Sequence, residues 1–197
     1  FVWYRNNNWK VLMGDDLIAI GSFQENGFWK TLYNPDNISL GKIRPVSIIL
    51  LYFVYIICGI EYAKYYFVLR LLLVISIYFV FVLCRKMEIK LPYAYVISLT
   101  MLTCPFSAYG VWQALGILEI FSLLCCVCCL YFQYKIIGCC IQKKIYYNVI
   151  YCSIIFALLI FNAERFMYLV AVFELVVLLN KYLTIKEKGF LSIIYFL

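Results

Sequence analysis

The sequence predicts an all-α polytopic membrane protein: a transmembrane helix bundle with an outer loop and a juxtamembrane helix. Three observations lead there. Of 197 residues, 66% are hydrophobic and 14% charged, whereas a soluble domain carries about 25% charged residues, so this chain cannot dress an apolar core in a polar shell. Unbroken apolar runs at Tyr66 to Cys84 and Val111 to Phe132 match the roughly 20 residues that cross a bilayer. Basic residues also alternate from one connection to the next, the pattern that sets membrane orientation. Soluble enzymes, nucleic-acid modules and disordered tails are excluded, and the formal net charge of +7 is read as topology.

Residues 1–45 are expected to be an extracytoplasmic loop after a truncated first helix, whose tail is Phe1 to Tyr4. The loop holds Asn6 to Asn8, the pair Asp15-Asp16 and a turn at Asn34-Pro35-Asp36-Asn37. Asp15 to Phe23 has the pattern of a short amphipathic helix, with carboxylates where free N–H groups favour them. Arg44-Pro45 opens a helix over Val46 to Ile60, Pro being suited to a first helical turn. Such a helix rises about 22 Å, short of the roughly 30 Å hydrocarbon core. Segment 46–60 is therefore read as juxtamembrane.

The bundle is expected over 66–197, with spans at 66–84, 91–107, 111–132, 145–161 and 166–179 and an incomplete one from 189, as in a piece of a longer chain. Arg85, Lys86, Lys90, Lys135, Lys143, Lys144, Lys181, Lys186 and Lys188 fall on one side of these spans, and Arg165 alone on the other. The first side is cytoplasmic by the positive-inside rule. Residues 1–65 are then extracytoplasmic, provided that 46–60 does not cross.

Ten cysteines and no histidine leave little room for mixed metal ligands. Cys125, Cys126, Cys128 and Cys129 form two overlapping C-x-x-C spacings inside an apolar run without flanking charge, so they read as small hydrophobes used in packing. Cys139 and Cys140, beside basic residues at a helix end, are candidates for acylation.

Several charged residues stand where lipid tolerates them only with a partner. Asp15 and Asp16 can cap a helix, act as a general base or hold a divalent ion. Arg70, about one turn into its span, either snorkels or meets a phosphate, for which its bidentate fork is suited. Lys42 and Arg44 add positive charge nearby or simply meet lipid phosphates. Gln113, Gly116 and Glu119 recur every three residues on one helical face, placing Glu119 two turns into its span, where a carboxylate should face protein or water. Glu164-Arg165 is either a local ion pair or part of the same outer site.

Gly14-Asp15-Asp16 after a first helix, Lys42-Ile43-Arg44-Pro45 opening a short one, Arg70, Pro105-Phe106-Ser107-Ala108-Tyr109 with Gln113 and Gly116 to Glu119, and Asn162-Ala163-Glu164-Arg165-Phe166 together form a pattern. It resembles the bacterial polytopic glycosyltransferases of the GT-C superfamily, the glucosyltransferase-type members that use a polyprenyl-phosphate sugar. The resemblance implies transfer of a sugar from that membrane-lipid donor to a cell-envelope glycan or lipid acceptor. Asp15 or Asp16 would act as general base and Lys42, Arg44 and Arg70 as phosphate cations. Gln113, Glu119, Glu164 and Arg165 would bind substrate. A divalent metal is left open, and no nucleic acid is involved. The alternatives are a transporter or a lipid or oligosaccharide flippase, against which the long outer loop with its acidic pair argues, and a non-catalytic envelope-assembly protein.

Overall fold

A computed structural model describes residues 15–33, 45–104, 114–138, 142–162, 169–180 and 183–189, and the described residues are all-helical, without strands. The first helix, α1 (Asp15–Tyr33), is longer than the expected Asp15 to Phe23 because it continues across a break at Gly27 (φ 69°, ψ 176°). Glycine reaches that conformation without steric cost. Thr31 braces the break, its hydroxyl donating to Ser22 O at 3.1 Å and to Gly27 O at 2.8 Å.

Helix α2 (Pro45–Cys58) has Pro at its first position. It ends on Gly59, which takes the left-handed conformation (φ 58°) common after helices. Tyr65 donates to Gly59 O at 2.8 Å and fastens the turn into α3 (Tyr62–Lys86). With 25 residues, α3 is about 37 Å long and begins a turn before the expected Tyr66. Its C-terminus closes through Ile89 N–H to Cys84 O at 3.0 Å and Glu88 N–H to Arg85 O at 3.2 Å, with Glu88 left-handed at φ 61°.

Helix α4 (Leu91–Thr103) corrects the expected 91–107 span. Cys104 is extended (φ −67°, ψ 153°) because the ring of the following Pro105 clashes with a helical residue before it. At 13 residues, α4 rises about 20 Å. Helix α5 (Gly116–Gly138) starts later and ends later than the expected 111–132; α6 is Gln142–Asn162 and α7 is Leu169–Leu179. Among the described residues, α3, α5 and the Lys144–Asn162 stretch of α6 are long and apolar enough to cross a membrane. Two of the five expected spans, now α4 and α7, fall short of that length as described.

The helices alternate in direction. Tyr65, Leu69 and Leu73 in the first half of α3 share a core with Ala114, Ile117 and Ile120, while Val80 and Leu83 in its second half share one with Val127. Thus α3 and α5 are parallel. Helix α6 runs back along α5, matching Asn162 to Leu118 and Cys152 to Cys129, and α7 reverses again, so that Asn180 meets Ile136. The basic residues Arg85, Lys86, Lys135, Lys144 and Lys188 consequently gather at one end of the bundle, and α1 and α2 sit at the other. Away from the core, Phe53, Ile57, Phe67, Val74, Tyr78 and Val96 are all more than half exposed. Large apolar side chains presented this way, on helices of this length, are compatible with an integral membrane protein whose outer surface is covered by lipid.

Candidate functional site

The end opposite the basic loops is built from α1, α2 and the first halves of α3 and α5. Ile20 and Phe23 of α1 join Ile48, Leu51 and Val54 of α2 in the shared core. Edge-on contact of Phe23 with Tyr52, at 5.2 Å between ring centroids, and a 4.7 Å Phe28–Tyr52 contact fix α1 against α2. Ring pairs of this kind add to the area they bury.

Asp15 and Asp16 form the first turn of α1, where the helix dipole favours negative charge. Their side chains lie outside the described residues, as do Lys42, Arg44, Gln113, Glu164 and Arg165. Each of these five is adjacent or nearly so in the chain to a described anchor at this same end: Pro45 of α2, Ala114 before α5, or Asn162 at the end of α6.

Arg70 lies deeper than the sequence suggests. Because α3 begins at Tyr62, Arg70 is about 12 Å along the helix, two turns in rather than one. It is exposed on the outer face of α3. Its side chain leans toward the helix N-terminus, as side chains on a helix do, and its Cζ sits 3.8 Å from the Tyr66 ring centroid. A guanidinium N–H also donates to the Tyr66 hydroxyl. Tyr66 in turn stacks on Tyr62, with centroids 6.4 Å apart. This tyrosine ladder carries the positive head up toward the start of the helix, and the cation–π contact supports it in an environment poor in water. At the mouth of the same helix, Lys64 pairs with Glu61 at 2.9 Å, both exposed, a pair worth little to stability.

Glu119 is in the first turn of α5, which corrects its expected place two turns into a span that began at Val111. The start at Gly116 puts this half-buried carboxylate where free N–H groups and the helix dipole stabilise it. Gly116, its expected neighbour on the same face, is buried.

Beside Glu119 lies a buried polar junction that the sequence reading did not identify. Asn162 Nδ2 donates to Leu118 O at 2.8 Å and to Ser122 Oγ at 2.7 Å. The Ser47 hydroxyl lies 2.8 Å from Asn162 O and 3.0 Å from Asn162 Oδ1. All three side chains are buried. Their signal in the sequence is a lone polar residue within each of two apolar runs, Ser47 and Ser122, and one just past the end of a third, Asn162; what the sequence hides is that the three meet.

The cysteines at the α5–α6 seam are free thiols, Cys129 and Cys152 fully buried. Each sulfur lies near the other's carbonyl, at 3.9 and 3.8 Å, and Gln133 Nε2 approaches Cys152 Sγ at 3.3 Å. Among the described residues, no three His, Cys, Asp or Glu side chains converge as a metal site. Cys139 and Cys140 lie outside the described residues.

Among the described residues, fold and site together define an all-helical chain with three helices long and apolar enough to cross a membrane and, at one end of the bundle, a buried Ser47–Asn162–Ser122 junction beside Glu119. No protein-family model, curated protein or solved structure matches the chain.

Proposed function

We infer that the chain acts as a membrane glycosyltransferase, which moves a sugar from a polyprenyl-phosphate donor to a cell-envelope glycan or lipid acceptor. Its setting would be the bacterial plasma membrane, with residues 1–65 extracytoplasmic. One observation carries this reading. The helix that starts with Asp15-Asp16, the tyrosine-supported Arg70 and the Glu119 turn all belong to elements sharing one core at one end of the bundle. That end is also remote from the basic loops, which the positive-inside rule assigns to the cytoplasm.

The chemistry follows from what glycosyl transfer needs. An acceptor hydroxyl is a poor nucleophile at neutral pH, so a carboxylate, Asp15 or Asp16, takes its proton as it attacks the anomeric carbon. The departing polyprenyl phosphate gains negative charge, which Arg70, Arg44 and Lys42 stabilise best where water is scarce. Gln113, Glu119, Glu164 and Arg165 are assigned to substrate binding.

The test uses the full-length protein in proteoliposomes with a radiolabelled polyprenyl-phosphate hexose. Asp15→Asn and Asp16→Asn should bind donor as the parent does, while at least one loses about 100-fold in rate, the scale of a general base. Arg70→Ala should lower donor affinity. Full transfer by both Asp variants would remove the catalytic assignment. A parent that consumes no donor but moves a solute or lipid across the vesicle would replace the transferase by a transporter.

A further inference from the structure

Asn162 is the last residue of α6 and is completely buried. Both its amide hydrogens are used, on Leu118 O and Ser122 Oγ of α5, and its Oδ1 and its backbone carbonyl both face the hydroxyl of Ser47 in the first turn of α2. One residue therefore joins three helices at the end where the candidate site lies. Between helices surrounded by lipid, apolar contact discriminates poorly among rotations and slides, because lipid tails are as apolar as the side chains. Directed hydrogen bonds do discriminate, since a displaced helix leaves their buried groups unpaired.

Leu118 and Ser122 are four residues apart and so lie on one face of α5, and Glu119 follows Leu118 about 100° round the helix. Gripping that face at two heights fixes both the rotation and the rise of the turn that carries Glu119. We propose that Asn162 is a positioning residue that acts through Glu119, setting the register of the first turn of α5 and thereby the place of the Glu119 carboxylate relative to α2. The functional half of this inference rests on the reading of Glu119 as a substrate-binding residue.

A double-mutant cycle tests it on the full-length protein in proteoliposomes, with consumption of the radiolabelled polyprenyl-phosphate hexose as readout. Glu119→Gln and Asn162→Ala should each lower kcat/KM about 10-fold, and the double variant should fall no further than either, because both lose the same interaction. A double variant about 100-fold down, the product of independent effects, would overturn the coupling. So would an Asn162→Ala protein with parental kinetics. If Asn162→Ala does not accumulate in membranes, Ser122→Ala, which removes one of the two gripping bonds, takes its place in the same cycle. Backbone amide exchange over residues 116–122 provides an arm independent of catalysis. It should quicken at least 10-fold when the junction is cut, because local opening sets the exchange rate. Unchanged exchange would overturn the positioning role even in an active enzyme, whereas faster exchange in a parent that consumes no donor would retain the junction and reject the transferase.

Discussion

Thr184 and Glu187 illustrate what a single residue pair does at the basic end of the molecule. The Thr184 N–H and hydroxyl both donate to Glu187 Oε2 at 2.8 Å, and Glu187 N–H lies 3.4 Å from Thr184 Oγ1, a reciprocal capping box before the helical turn at 185–189. Hydrogen bonds from the Thr184 backbone and hydroxyl hold the Glu187 carboxyl below its usual range. A depressed carboxylate stabilises the folded turn above the ordinary glutamate range, and that contribution disappears as pH falls through the lowered value. The protection of amides 185–189, taken as their exchange rate relative to the intrinsic rate at each pH, should therefore fall on acidification, and Glu187→Ala should show low protection at neutral pH as well; a turn equally protected in both proteins would contradict the box. The T-x-x-E spacing was readable in the sequence. The Asn162 junction was not, because hydrogen bonds between residues 40 and 115 positions apart leave no local pattern. The burial of Cys129 was legible from its apolar surroundings, and replacing Cys125, Cys126, Cys128 and Cys129 by Ala should leave helix content unchanged and release no stoichiometric metal, as elemental analysis of the parent and variant would check.

At the scale of elements, apolar runs located the helices, and local backbone chemistry decided where they stop. Pro105 ended α4 early, and the glycine at position 27 let α1 bend and continue beyond Phe23. Both signals are present in the sequence, but hydrophobicity alone outvotes them. The end of α3 leads to a prediction of its own. Glu88 occupies the left-handed position of a closing motif that usually holds glycine, and a side chain there costs roughly 1 kcal/mol. Glu88→Gly should thus raise stability in a denaturation series by only part of that amount, up to about 0.5 kcal/mol, because the freer unfolded chain offsets the rest; a loss would mean that the Glu88 side chain contributes a contact worth more than the strain. Helix α4 touches α3 through small residues. Ala94 is fully buried against Val80, Leu83 and Cys84, so Ala94→Leu should separate the two helices and destabilise by about 1–3 kcal/mol. Val96→Leu, on the exposed face, should be near neutral and serves as the control.

For the molecule as a whole, alternating helices bring the basic connections after α3 and α5 to one end and the candidate site to the other. The sequence conveyed this sorting through its basic connections, nine residues against Arg165, because charge along a chain is legible without knowing how helices pack. It could not convey which helices would be long enough to cross, nor that α1 and α2 share a core with α3 and α5. If the site end is extracytoplasmic, α1 and the α5–α6 connection lie on opposite sides of the membrane. Single cysteines at Asn26 and at Lys143, introduced into a cysteine-free protein in sealed cells, measure this directly with an impermeant thiol reagent added from outside. Asn26→Cys should react without lysis and Lys143→Cys only after it; modification of both from the same side would contradict the topology on which the proposed site depends.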